Sequence, residues 1–205
     1  MKSPQEQAED RNIVNYYTEL LEKHGRNPRS LDWGSRRTQE LRFRVLCDIA
    51  PLDGCSLLDV GCGLGDLWDY LSSKGIGVFY TGYDFTPAMV AEAKGRFPSV
   101  PFEVRDILEE PDEHCRFDYV MASGIFYLRR DRPMQYLVET VRRMFGLCRI
   151  GVAFNSLSAR ASRRDPHEFH ADPSRVLSSC LEITPRVVLR HDYLPNDFTV
   201  YLFRD

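Results

Sequence analysis

What is missing from this chain of 205 residues removes several classes of function. None of its six cysteines (Cys47, Cys55, Cys62, Cys115, Cys148 and Cys180) stands in a C-x-x-C pair, which argues against a zinc knuckle or a thioredoxin-type site. Reduced cytosolic thiols are the simplest account. The opening "MKSPQEQAED" lacks the apolar stretch of a signal peptide, and no apolar run approaches the roughly 18 residues of a membrane span. The expectation is a soluble, cytoplasmic protein without a membrane partner. Net charge is also small, −3, with none of the basic excess usual for nucleic-acid binders, so nucleic acid is a disfavoured partner. The glycine-rich turn at "GCGLGD" has neither the lysine of a P-loop nor the G-x-G-x-x-G spacing of a dinucleotide fold.

What is present suits one domain with a full core, since 43% of the residues are hydrophobic. From Glu6 to His24 the residues Ile13, Tyr17, Leu20, Leu21 and His24 recur at helical spacing, and Gly25 ends the run. A second helix is expected after Ser35 as N-cap, with Leu41, Val45, Leu46 and Ile49 on one face. From Ser56 onward short apolar runs alternate with helical segments. "SLLDV", "VFYTGYD", "PFEV", "FDYVMA" and "CRIGVAFN" read as strands, with helices over 67–74, 87–97 and 131–145. That alternation means βαβ units, a parallel sheet and helices on both faces. At the end, "RVVLRHDYL" and "FTVYLFR" are separated by only Pro195, Asn196 and Asp197, too short for a crossover, so an antiparallel hairpin at an edge is expected.

The stretch "LLDVGCGLGD" places Asp59 inside an apolar run and then glycines at 61, 63 and 65. In an open parallel sheet ligands bind at the carboxyl ends of the strands, where this loop falls, and glycines let backbone approach a ligand closely. A tight strand-to-helix turn would also need them. Asp84 ends the second strand, where a carboxylate can accept from both hydroxyls of a ribose or can cap the next helix. Asp106 ends the third strand, where a carboxylate can accept from an adenine amine. Glycine backbone, ribose acceptor and adenine acceptor in chain order describe a nucleoside site.

"LLDVGCGLGD", "YTGYD", "VRDIL" and "FDYVMASGIFYL" resemble the successive motifs of the class I S-adenosylmethionine-dependent methyltransferases, from Ser56 to about Asn155. The resemblance implies a Rossmann-like, seven-stranded, mostly parallel sheet with an antiparallel C-terminal hairpin. It implies an N-terminal helical cap over residues 1–50 and a cofactor-binding domain over 51–205, within one structural unit. S-adenosylmethionine would be the cofactor and S-adenosylhomocysteine the product. Gly61 and Gly63, with Cys62 between them, would face the methionine part, and Asp59 would orient the loop and the amino group. Asp84 would hold the ribose, Asp106 with Ile107 the adenine, and Ser123 with Gly124 would flank the reaction centre. Phe85 is placed either against adenine or in the core. Arg42 is the candidate for the methionine carboxylate, with Arg36 and Arg44 as alternatives. No nucleophilic role falls to Cys62.

Methyl transfer from a sulfonium is an in-line displacement on an already activated carbon, so positioning and water exclusion are the protein's main tasks. No metal is expected, because "ASGIFYL" lacks the acids that the metal-dependent branch carries after the fourth strand. A small-molecule acceptor is expected, methylated on oxygen or nitrogen. His167 and His170 in "RRDPHEFHADP" are candidate bases or surface residues, and Tyr127 is a candidate for positioning the acceptor. Arg129, Arg130, Arg132, Arg160, Arg163 and Arg164 follow the fourth and fifth strands, which raises the idea of an anionic acceptor. A cofactor-binding protein without turnover, and a nucleic-acid or protein methyltransferase, are the other readings. Oligomeric state is left open.

Overall fold

The computed structural model describes residues 2–109, 115–128 and 130–204. Seven strands form one sheet in the order β3-β2-β1-β4-β5-β7-β6. In chain order they are β1 (Ser56–Val60), β2 (Phe79–Asp84), β3 (Phe102–Val104), β4 (Phe117–Ala122), β5 (Cys148–Leu157), β6 (Val187–Leu194) and β7 (Asp197–Phe203). The first five run parallel, and β7 lies antiparallel to both β5 and β6. The hairpin therefore forms as expected, but its second strand enters the sheet and leaves β6 outermost. The reason is visible in burial: "DFTVYLF" is buried at all but its last position, whereas β6 is half-buried throughout or exposed.

The helices are α1 (Pro4–His24), α2 (Arg36–Cys47), α3 (Asp66–Ser73), α4 (Pro87–Arg96), α5 (Pro133–Leu147) and α6 (Pro173–Leu181), with a 3-10 turn at Pro28–Leu31. Proline opens α4, α5 and α6, where its missing N–H costs nothing. Ser3 and Glu6 form a capping box on α1, and the Ser35 side chain accepts from the Thr38 amide at α2. Sequence reading assigns no element to α6, whose serines and cysteine mask the Val176 and Cys180 pair that it buries.

Period-two alternation along the strands splits the core between two faces. Leu58, Val60, Val120 and Phe154 meet Leu137, Val141 and Met144 of α5 and Val176 of α6. Leu57, Met121, Ala153 and Tyr201 meet α2, α3 and α4 through Phe43, Leu46, Leu67 and Val90. Burying such strands on both faces is what a parallel sheet requires. The first 50 residues do not behave as one unit in this packing. α2 belongs to a core layer, whereas α1 has no buried residue and lies over the strand ends.

Candidate functional site

The strand order reverses between β1 and β4, and the glycine loop emerges from β1 at that point. Its backbone is tied to the neighbouring strand: the Gly61 and Cys62 amides donate to the Tyr83 carbonyl at 2.7 and 3.1 Å. Gly63 has φ +51, a left-handed conformation that side chains resist, and a Cβ there would come within 2.7 Å of Leu31 Cδ2. Asp84 joins the loop to the next helix. One carboxylate oxygen accepts from the Gly63 amide at 2.9 Å and the other from the Thr86 amide at 2.8 Å, just before α4. Burial raises its pKa, while these amide bonds and a further bond with the Thr86 side chain lower it.

Asp59 is placed differently from its expected role. It shares the face of Leu57, is 3% exposed, and accepts from the Tyr80 hydroxyl at 2.5 Å. Burial pushes its pKa up to about 7, against which the Tyr80 bond acts. The Cys62 thiol is buried and pushed well up by desolvation, which leaves it inert as a nucleophile. Asp106 accepts from the Leu108 amide at 2.9 Å and also holds the Lys2 ammonium, which bridges on to Asp10 at 2.6 Å. Ile107 is a core residue beside them.

Two cavities open at the strand ends. One, of about 70 Å³, lies over Gly61, Gly63 and Asp84, with Phe85 and Ser123 in its wall and Ile13 and Tyr17 of α1 across it. The other, of about 250 Å³, lies between β4, β5 and β7 and is lined by Phe126, Tyr127, Asn155, Asp197, Glu168 and Asp32 among others. Leu31, Trp33 and Gly124 belong to both. Gly124 has φ +74, and a Cβ there would meet Trp33 at 2.6 Å. Asn155 fixes this junction, accepting from the Gly124 amide at 2.9 Å and donating to Ser123 Oγ at 3.0 Å. It was missed in the sequence, although a polar residue inside the apolar run "CRIGVAFN" was a usable signal.

Arg42 lines the larger cavity, away from the glycine loop. Its Nε pairs with Asp197 at 2.7 Å, the two side chains being 8% and 2% exposed, and its guanidinium lies 5.0 Å from the Trp33 ring centre. Arg36 pairs with Glu40 and Asp69, and Arg44 is exposed. Tyr127 donates to Asp32 at 3.1 Å and also accepts from Tyr17 at 3.1 Å, while Tyr16 donates to the same carboxylate at 2.9 Å. His170 faces Ser158 O and Glu168 Oε2 (2.9 Å), and His167 is exposed and lines neither cavity. Of the arginines, Arg130 pairs with Asp10 at 2.8 Å and stacks on Tyr136, on the glycine-loop side. Arg132, Arg160, Arg163 and Arg164 are exposed. Arg129 lies outside the described residues.

A parallel sheet with a ligand cleft at its reversal point defines a Rossmann-like α/β protein. Comparison with known proteins narrows this. The methyltransferase domain family matches residues 57–145. A Mycobacterium tuberculosis protein provisionally described as a methyltransferase, Rv1506c, is 32% identical over 155 residues, covering 72% of this chain and 92% of the relative. Among solved structures, an S-adenosylmethionine-dependent methyltransferase of Aquifex aeolicus superimposes with TM-score 0.64 at 18% identity, over 91% of this chain and 97% of the other. A Haemonchus contortus phosphoethanolamine N-methyltransferase in complex with S-adenosylhomocysteine gives TM-score 0.63 at 15% identity, over 85% and 46%. The chain belongs to the class I S-adenosylmethionine-dependent methyltransferases. It is an enzyme whose methyl donor is S-adenosylmethionine and whose cofactor product is S-adenosylhomocysteine.

Proposed function

We propose that this methyltransferase acts on a small-molecule acceptor seated in the larger cavity, without a metal ion. The observation that carries this is the cleft of about 250 Å³ that meets the glycine-loop cavity at Gly124. It lies just below the usual range of small-ligand pockets, about 300–1,000 Å³, and is far too small for a base-paired or folded substrate.

The groups around the glycine loop suit S-adenosylmethionine: backbone at Gly61 and Gly63 that a ligand can approach closely, the carboxylate of Asp84, and Phe85 as an apolar wall. The bound cofactor supplies a methyl group made electrophilic by the sulfonium. Asp84 holds the ribose hydroxyls, Asp106 the adenine amine with Ile107 beside it, and Ser123 and Gly124 border the transfer. Asp59 acts at one remove, by bracing β1 against β2 through Tyr80. Arg42 is assigned to the acceptor wall on account of its pairing with Asp197.

The space of about 70 Å³ over the loop is too small for a nucleoside, so α1 moves outward on loading. An α1 without buried residues makes that motion cheap, since it exposes little core. Its polar ties to the body lie along one side: Lys2 to Asp106, Glu9 to the Asp131 amide, Asp10 to Arg130, Tyr16 to Asp32 and Tyr17 to Tyr127. When it closes, Trp33 and Tyr127 exclude water from the acceptor.

The test is transfer of labelled methyl from S-adenosylmethionine into a library of small acceptors, run beside total RNA and a protein lysate. Labelling confined to small molecules is expected. Labelling of RNA or protein alone would overturn the proposed acceptor class.

A further inference from the structure

We infer that the acceptor is an amine, bound through its cationic form between Asp32, Glu168 and the aromatic wall of the larger cavity. This rests on the small-molecule methyltransferase reading above and adds the chemical class of the substrate.

The charge of the cavity lining is the first observation. Three carboxylates line it, Asp32, Glu168 and Asp197, against one cation, Arg42. Arg42 and Asp197 neutralise each other in a buried pair, and Asp197 also accepts from the Tyr193 hydroxyl at 2.5 Å. The remaining two acids have no lysine or arginine partner among the described residues. Asp32 is held by the neutral hydroxyls of Tyr16 and Tyr127, and Glu168 by His170. These two acids come together because the chain at Leu128 bridges antiparallel to Glu168, next to Tyr127, and Tyr127 reaches Asp32.

Two further observations agree. The rings of Trp33, Phe126 and Tyr127 line the same space, and aromatic faces attract cations. Trp33 already carries the Arg42 guanidinium 5.0 Å from its ring centre. Of the arginines that suggested an anionic acceptor, the five described ones do not line this space: Arg132, Arg160, Arg163 and Arg164 are exposed, and Arg130 is engaged on the other cavity. Among the described residues, nothing in this lining resembles a receptor for phosphate or carboxylate.

The chemistry balances with these groups. An ammonium enters, and one proton passes from nitrogen to Glu168, beside His170. The freed nitrogen lone pair forms the new N–C bond as the C–S bond breaks. The electron pair of that bond stays on sulfur, leaving a neutral thioether and a methylated ammonium.

The experiment uses the full chain with S-adenosylhomocysteine bound and, as probes, matched sets of amine, alcohol and carboxylate on one carbon skeleton, for example phenethylamine, 2-phenylethanol and 3-phenylpropionate. Calorimetry should show the amine of a set binding at least about tenfold more tightly than its partners, as expected for a charge-assisted contact. Asp32→Asn and Glu168→Gln should each remove about tenfold of amine binding while cofactor affinity holds. Alcohols or acids binding as well as amines, or no set preferring its amine, would overturn the inference and leave the methyltransferase reading intact. Failure of S-adenosylhomocysteine itself to bind would overturn both.

Discussion

The two cavities share Gly124 but are made of different material. The one over the glycine loop is built on the backbone at Gly61 and Gly63 and on Asp84 at the end of β2, with Ile13, Tyr17, Leu31 and Trp33 closing over it. The acceptor cavity is assembled from side chains brought from far apart in the chain: Asp32 before α2, Asn155 in β5, Glu168 before α6, Asp197 opening β7. The Arg42–Asp197 pair alone joins positions 155 residues apart. The first cavity depends on glycine backbone and tolerates little change there. The second is a product of packing and varies with the residues that line it.

The comparison breaks hardest at the glycine loop. Gly63→Val combines a left-handed φ with a side chain driven into Leu31, and should reduce S-adenosylhomocysteine affinity by about a hundredfold or more in calorimetry. Wild-type affinity in that variant would detach the loop from cofactor binding.

On the acceptor side the largest effect should be on stability. Arg42→Ala leaves Asp197 buried without its cation, at a cost of about 3–5 kcal/mol in chemical denaturation. The double variant Arg42→Met with Asp197→Leu should recover much of that loss, and cofactor affinity should hold in both. A specific loss of cofactor affinity with stability intact would return Arg42 to the methionine carboxylate.

A smaller effect is expected at the strap. Lys2→Ala frees Asp106 from its competitor and should tighten cofactor binding about threefold. Weaker binding would mean that Lys2 helps to close the site.

A separate effect is in pH dependence. Asp59 has a folded pKa of about 7 against an ordinary 3.8, so the folded state holds a proton that the unfolded state has released. Stability should therefore fall as pH rises from about 4 towards 7, relative to Asp59→Asn, and the difference should level off above that. Parallel pH profiles of melting for the two proteins would contradict this placement of Asp59.

The same contrast explains what could be read in the sequence. The β1 loop, Asp84 and Asp106 were legible because each sits at a fixed offset from a strand end, and strands announce themselves by apolar runs. Asp84 accepts from the Thr86 amide at the start of α4, as a capping role requires, and also lines the cavity over the glycine loop. The position of β7 inside the sheet was less legible, because a three-residue turn specifies antiparallel pairing but not which strand faces β5. The larger cavity was less legible: Tyr127 stood out in the sequence, but no local pattern marks most of the residues around it. Asp32 and Glu168 read as surface acids; Asp32 stays exposed, but the fold brings it to the Tyr127 hydroxyl and sets Glu168 opposite Leu128, and the arginine count in the loops pointed to a charge that the cavity lining does not share.

The most direct measurement is a thermal melt of the full chain with S-adenosylhomocysteine and, separately, with NAD. The account predicts a saturable rise in melting temperature with S-adenosylhomocysteine and none with NAD. No rise with S-adenosylhomocysteine, or an equal rise with NAD, would contradict it.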